Sequence, residues 1–95
     1  MAAYLIAHAT VIDAEKLPAY ATAAGATFAA FGGAPVARGK VVEVLAGSHT
    51  AHSAIIVKFP DAKSAHDWFH SPAYQALIPL RDAALAVTFV VIEEA

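Results

Sequence analysis

Five side chains in this sequence are of types that could bind or act on a small molecule. They are an imidazole, two guanidinium groups, an indole and a phenol: His8, Arg38, Trp68, Tyr74 and Arg81. Aromatic rings supply apolar walls, and a guanidinium presents a planar fork of donors that fits carboxylates and enolates. These residue types indicate a pocket for a small aromatic or conjugated acid. The sequence holds no nucleophile elbow, phosphate loop or pair of catalytic carboxylates.

Each of these side chains also has a purely structural interpretation. His8 lies mid-strand among apolar residues. Its structural interpretation is a buried neutral imidazole bonded to a neighbour, and its functional one is a general base or donor inside a pocket. Arg38 interrupts an apolar strand, where it either forms an ion pair, with Glu43 or with a carboxylate of the partner chain, or acts as an anion clamp. For Trp68 the alternative to a pocket wall is packing between helix and sheet, and for Tyr74 it is capping of the short helix. For Arg81 it is an ion pair with an acid near Asp82 or with Glu93.

The remaining histidines are expected to be solvated. His66 and His70 are four residues apart, a spacing that places two imidazoles on one helix face and occurs in metal sites. The sequence fixes no third ligand, and at ~100° per residue the pair falls at the solvent edge of the helix. His49 and His52 lie in a polar turn. We therefore expect no metal site.

Composition narrows the class of protein. The net charge is −2 and the six basic residues are scattered, so no basic stripe supports nucleic-acid binding. The absence of cysteine excludes disulfides, iron–sulfur clusters and cysteine-ligated zinc. Residues 17–37 carry no charge but are too rich in Ala, Gly and Pro to insert in a membrane. With no basic segment of a signal peptide at the start, we expect a cytoplasmic protein.

The apolar pattern predicts the element order β-α-β-β-α-β. The predicted ranges are strands 3–12, 35–45, 53–59 and 86–93, helices 18–31 and 62–70, and a short helix from Pro72. Gly32 and Gly33 are expected to end the first helix, and Asp61 to cap the second. Gly39 is expected to form a bulge, and Pro79 to end or bend the short helix.

This order is the split βαβ, or ferredoxin-like, arrangement of an α+β fold. We expect one domain over residues 1–95, with helices covering one face of a four-stranded antiparallel sheet. The first predicted strand is apolar on both faces and the last is nearly so, and the uncovered face would therefore expose an apolar patch. Such a patch usually marks an interface, and we therefore expect a homodimer through the open sheet face.

Several short motifs share one order and spacing with a known family. They are Gly32-Gly33, Arg38-Gly39, Glu43 to Gly47, Phe59-Pro60, Trp68, the run Ser71-Pro72-Ala73-Tyr74-Gln75, and Arg81. Together they resemble domain-of-unknown-function family 1330 (DUF1330), of the dimeric α/β-barrel superfamily. The run from Trp68 to Arg81 is the most specific part. The resemblance covers nearly the whole chain and implies a ferredoxin-like protomer, a barrel-shaped dimer and no established activity.

The chain departs from the family pattern at three positions. Ala34 stands where the family usually has an arginine, Lys40 where a second glycine is common, and Ala46 where an acidic residue is usual. If the missing arginine and acid belong to a family site, that site is altered here.

Two functions are compatible with these residues. One is a small dimeric protein that binds an anionic or aromatic metabolite. The alternative is a cofactor-independent monooxygenase, or an isomerase or lyase, acting on a small aromatic or conjugated acid between sheet and helices. The superfamily includes cofactor-free monooxygenases in which Trp, Tyr and Arg position the substrate. Trp68, Tyr74 and Arg81 resemble such a set, and the resemblance is one of fold. Some members of the superfamily bind haem, which would need an axial histidine, and His8 is the candidate. We nevertheless expect this protein to bind no cofactor.

Overall fold

The computed structural model describes residues 1–95 and contains four strands and four α-helices. In chain order these are β1 (Ala3–Val11), α1 (Leu17–Phe28), β2 (Ala34–Lys40), β3 (Ser53–Phe59), α2 (Ala62–His70), α3 (Pro72–Gln75), α4 (Ile78–Ala84) and β4 (Leu85–Glu93). A single 3₁₀ turn, Ala29–Phe31, follows α1.

The strands form one antiparallel sheet in the order β2-β3-β1-β4. Ala3 of β1 pairs with Phe59 of β3 and with Glu93 of β4. This register places the buried side chains of the three strands on one face of the sheet: Ala3, Leu5, Ala7, Val57, Phe59 and Leu85. This topology confirms the predicted ferredoxin-like α+β fold. The sheet of the single chain is open and does not close into a barrel.

Helix α1 packs on the sheet through the stripe that its spacing predicts. Tyr20, Ala24 and Phe28 are its buried residues, and they recur every four positions. Gly32 ends the helical segment with φ of 74°, a left-handed conformation that glycine adopts without a steric penalty. The α-helix itself stops at Phe28, and the last predicted turn is 3₁₀.

The core lies between the sheet and the segment from α2 to α3. Trp68, Tyr74, Phe59 and Val57 are the largest fully buried side chains. The Trp68 ring lies 4.3 Å from the Tyr74 ring and 4.9 Å from the Phe28 ring, centroid to centroid. Ser71 ends α2 and begins α3, and its hydroxyl accepts from the Tyr74 amide at 3.3 Å. The predicted cap at Asp61 is also present, since its carboxylate accepts from the Ser64 amide at 2.7 Å.

Strand β2 is shorter than predicted. It ends at Lys40, which pairs with Ser53, the first residue of β3. One further backbone bond follows, from the Val41 amide to the His52 carbonyl at 2.8 Å, and residues 42–51 of the connection form no strand. The alternating valines of this connection satisfy the strand pattern, but a strand also needs a partner. Gly39 pairs regularly, and the irregularity lies between Pro35 and Ala37, where proline has no N–H to donate.

Pro79 begins a helix, whereas the sequence led us to expect that it ends or bends one. It lies in the first turn of α4, where a backbone N–H has no acceptor within the helix. The fourth strand consequently starts at Leu85, directly after α4.

The sheet face away from the helices is apolar at its centre. Ile56, Ile6 and Val90 lie side by side on neighbouring strands. Val90 and Ile92 are 43% and 50% exposed. No helix of the single chain covers this surface, the open sheet face, and the β2–β3 connection reaches it at His8, which His49 contacts. No helix of the structure has the length and apolar character needed to cross a bilayer.

Candidate functional site

A cleft of about 830 Å³ lies between α1 and the helix-facing side of the sheet. Of the 21 residues that line it, 15 are hydrophobic. Its walls are alanine-rich where the two elements face each other, with Ala7 and Ala9 from β1 and Ala21 and Ala24 from α1. Because alanine fills little space, these segments leave a gap where larger side chains would form a closed core. The high alanine content thus creates the cleft.

Arg38 is the one charged residue that lines the cleft. It lies on β2, an edge strand, opposite Ile55 of β3, which also lines the cleft. The Arg38 side chain is exposed and forms no ion pair in the structure. The possible pair with Glu43 is therefore not formed. A free guanidinium beside an apolar wall is suited to a carboxylate.

Trp68 closes the inner end of the cleft and also belongs to the core. It is 1% exposed, and its Nε1 donates to Thr27 Oγ1 at 2.8 Å. The Thr27 hydroxyl in turn donates to the Ala24 carbonyl at 2.6 Å. The N–H of the Trp68 indole is therefore already hydrogen-bonded to α1, and the indole contributes only apolar ring surface to the cleft.

Tyr74 and Arg81 lie behind the cleft wall rather than on it. Tyr74 is fully buried, and its hydroxyl lies 2.7 Å from the hydroxyl of Tyr20. Arg81 Nη1 donates to the Tyr74 hydroxyl at 3.3 Å, and Arg81 Nη2 lies 3.2 Å from the Asp82 carboxylate. The guanidinium also stacks 5.5 Å from the Phe89 ring centre.

Tyr20 connects this buried group to the cleft, which it lines. The sequence places it in the apolar stripe of α1 and gives no sign of a functional role, because its partner is 54 residues away. Burial, followed by the hydrogen bond with Tyr74, raises the pKa of Tyr20 well above its ordinary value. Tyr20 is therefore a neutral hydroxyl at physiological pH.

The pKa of Arg81 reflects opposing influences. Burial lowers it, but the hydrogen bonds and charge interactions with Tyr74 and Asp82 outweigh that effect, and the pKa lies above its usual value. Arg81 is thus a permanent cation that supports Tyr74.

His8 lies on the open sheet face, across the sheet from the cleft, because it alternates with Ala7 and Ala9 of β1, which line the cleft. Its Nδ1 is 3.0 Å from Nε2 of His49, which the sequence led us to expect as a solvated loop residue. The structure therefore brings Arg38 and Trp68 together at the cleft, with Tyr74 and Arg81 behind it, and separates His8 from all four.

His66 and His70 lie side by side on the outer face of α2, with ring centres 4.4 Å apart. Both are exposed. No group of three or more potential ligands of the His, Cys, Asp and Glu types comes together in the structure.

The family model of DUF1330, a domain of unknown function, matches residues 2–95. The chain belongs to the DUF1330 family. No curated protein matches the sequence.

Solved structures similar to this DUF1330 chain share its fold at low identity. A protein of unknown function from Rhodopseudomonas palustris has a TM-score of 0.81 and 18% identity, over 99% of this chain and 82% of that one. SnoaB, a cofactor-independent oxygenase from Streptomyces nogalater, has a TM-score of 0.70 and 14% identity, over 99% and 93%. A dimeric ferredoxin-like protein of unknown function from Thermobifida fusca has a TM-score of 0.69 and 16% identity, over 99% and 92%.

Proposed function

We propose that this DUF1330 protein binds a small aromatic or conjugated anion in the cleft between α1 and the sheet. The observation that carries the proposal is the free guanidinium of Arg38 beside an otherwise apolar lining. A cleft of about 830 Å³ lies within the usual size range of small-molecule sites, roughly 300–1,000 Å³.

Two different forces would hold such a ligand. Burial of a flat ring against the alanine-rich walls contributes roughly 25 cal/mol for each Å² of apolar surface removed from water. The guanidinium then selects a carboxylate over a neutral group of the same shape. Because Arg38 is exposed, solvent screens the second contribution, which we expect to be on the order of 1 kcal/mol.

Binding is better supported than the catalytic alternative, an oxygenase, isomerase or lyase. Abstraction of a proton from the substrate needs a base within hydrogen-bond reach. The lining contains no carboxylate and no imidazole, and Tyr20 holds its proton tightly. The likeness to SnoaB is one of fold, and fold alone does not transfer an activity.

We also propose that the protein works as a homodimer through the open sheet face. That face carries Ile6, Ile56 and Val90 in one row, with no element of the same chain over them. Apolar surface of this kind is normally covered by a partner. Two sheets packed face to face would leave both clefts on the outer, helix-bearing sides of the assembly.

The ligand proposal is tested with 2-naphthoate and its neutral isostere 2-naphthamide as probes, titrated calorimetrically. We expect 2-naphthoate to bind more tightly than the amide. Arg38→Met, which keeps an unbranched apolar stem and removes the guanidinium, should weaken 2-naphthoate about three- to tenfold and leave the amide unchanged. Lys40→Met is the matched control, because it removes the same charge from the same strand outside the cleft lining. Equal affinity of the two probes for the wild-type protein would overturn the proposal.

A further inference from the structure

Tyr20, which lines the cleft, and Tyr74, which lies behind its wall, are joined by a hydrogen bond between their hydroxyls. The distance alone does not show which hydroxyl donates. Their oxygens are 2.7 Å apart, and either group could donate. A phenol has one hydrogen to give and can accept as well. The direction decides which of the two hydroxyls retains a hydrogen for a ligand.

The surroundings of Tyr74 fix that direction. Tyr74 is fully buried, and its hydroxyl has two partners, Tyr20 and Arg81. A guanidinium has donors and no acceptor, so Arg81 can only give a hydrogen to Tyr74. Tyr74 could also accept from Tyr20, and either direction leaves one phenol hydrogen unpaired within the chain. Because Tyr74 is 0% exposed and its hydrogen has no acceptor other than the Tyr20 oxygen, whereas Tyr20 lines the cleft, the less costly arrangement gives the Tyr74 hydrogen to Tyr20. The bonds run from Arg81 to Tyr74 and from Tyr74 to Tyr20.

This order leaves the hydrogen of Tyr20 without an acceptor in the chain. Tyr20 is 7% exposed, and the Tyr74 hydroxyl is its one hydrogen-bond partner. A buried donor left unpaired costs about 1–3 kcal/mol. Tyr20 also lines the cleft, so an acceptor bound there would relieve this cost.

We propose that the Tyr20 hydroxyl donates a hydrogen bond to a carbonyl or oxyanion oxygen of the bound ligand. The inference rests on the proposed binding function and adds a second recognition point to it. Tyr20 acts as a donor and not as a base, because its raised pKa keeps the hydroxyl protonated.

The two recognition points lie toward opposite edges of the sheet. Arg38 is on β2, at one edge, while Tyr74 packs 6.1 Å from the Phe89 ring of β4, at the other. Three strand spacings of about 4.8 Å separate those edges by about 14 Å. The ligand class that fits is therefore an elongated, flat carboxylate with a carbonyl at its far end, such as a keto-substituted bicyclic aromatic acid.

The test compares 6-acetyl-2-naphthoate with 6-isopropyl-2-naphthoate, which has nearly the same shape and no acceptor. We expect the wild-type protein to bind the acetyl compound about three- to tenfold more tightly, the net effect of one neutral hydrogen bond. Tyr20→Phe should bring the two affinities to equality. Tyr74→Phe removes the same tyrosine–tyrosine bond but leaves the Tyr20 hydroxyl, so the preference should persist.

The outcomes separate this inference from the binding proposal. If the wild-type protein binds both compounds equally and Arg38→Met still weakens both, the role of Tyr20 is wrong and the carboxylate site stands. The role of Tyr20 is also wrong if Tyr74→Phe abolishes the preference as fully as Tyr20→Phe. If neither naphthoate binds, the proposed function fails and this inference fails with it. The comparison on the wild-type protein needs no variant to fold.

Discussion

At the scale of single residues, the polar atoms behind the cleft are joined in two short chains. One runs from Arg81 through Tyr74 to Tyr20, and the other from Trp68 through Thr27 to the carbonyl of Ala24. Each satisfies a group that burial would otherwise leave without a partner. Both chains tie α1 to the segment from α2 to α4, so they hold the cleft wall in place.

The raised pKa of Tyr20 predicts a loss of stability at high pH. The unfolded chain releases this proton near pH 10, while the folded chain retains it. The folded state then binds more protons, so the free energy of unfolding falls as pH rises above 10, by up to about 1.4 kcal/mol per unit. Below pH 10 the contribution is fully present. Urea denaturation between pH 9 and 11 should show that the free energy of unfolding falls less steeply with pH in Tyr20→Phe than in the wild-type protein. Equal slopes in the two proteins would contradict the account.

The indole of Trp68 should be sensitive to its partner on α1. Thr27→Val keeps the shape of the side chain but leaves the buried Nε1 of Trp68 without an acceptor. We expect a loss of about 1–3 kcal/mol in the free energy of unfolding, measured by urea denaturation. The control Thr50→Val, at an exposed position of the β2–β3 connection, should change stability by less than about 0.5 kcal/mol. Similar losses for both variants would refute the assigned role.

At the scale of elements, local patterns predicted the central strands and α2 well, because periodicity and caps are properties of neighbouring residues. They failed where the outcome depends on distant ones. Residues 41–45 have a strand pattern, but Val41 alone makes a backbone bond across the connection, to His52, since β3 starts only at Ser53. Pro79 is compatible with both the end and the start of a helix, and the sequence alone does not distinguish them. The same limit hid Tyr20, whose hydroxyl partner comes from α3.

Two glycines near α1 should respond in opposite ways to alanine. A Cβ at Gly25, inside α1, would meet nothing within 4 Å, so Gly25→Ala should stabilise the protein by about 0.5–1 kcal/mol. A Cβ at Gly33 would lie 2.8 Å from Phe59 Cε1 and 3.1 Å from Phe28 Cβ, both buried. Gly33→Ala should therefore destabilise the protein. Thermal unfolding midpoints measure both, and shifts of the same sign would contradict the packing described for α1.

At the scale of the whole molecule, the two faces of the sheet have different roles. The helix-facing side forms the core and the cleft, and the open sheet face carries the apolar row of Ile6, Ile56 and Val90. The sequence predicted that this face would be apolar, because both faces of the first and last strands are apolar. It could not predict that Arg38 and Trp68 share a cleft while His8 lies across the sheet, since that depends on strand register.

The dimer is tested by lysine substitutions at two neighbouring residues that are equally exposed in the single chain. Val90 and Val91 are 43% and 45% exposed and point to opposite faces of β4. Light scattering should give the wild-type protein twice the 9.8 kDa mass of the chain. Val90→Lys should lower this toward the monomer mass, because a charge on the open sheet face is costly to bury. Val91→Lys should leave the dimer intact. A wild-type monomer at micromolar concentration would refute the assembly.

The most direct test of the binding site is a crystal structure of the protein with 2-naphthoate. We predict that the ring lies between the alanines of α1 and β1, with the carboxylate within hydrogen-bond distance of the Arg38 guanidinium. The same crystals would reveal whether the far end of the ring approaches the Tyr20 hydroxyl. A naphthoate bound on the open sheet face, or a cleft filled by its own side chains, would contradict the account.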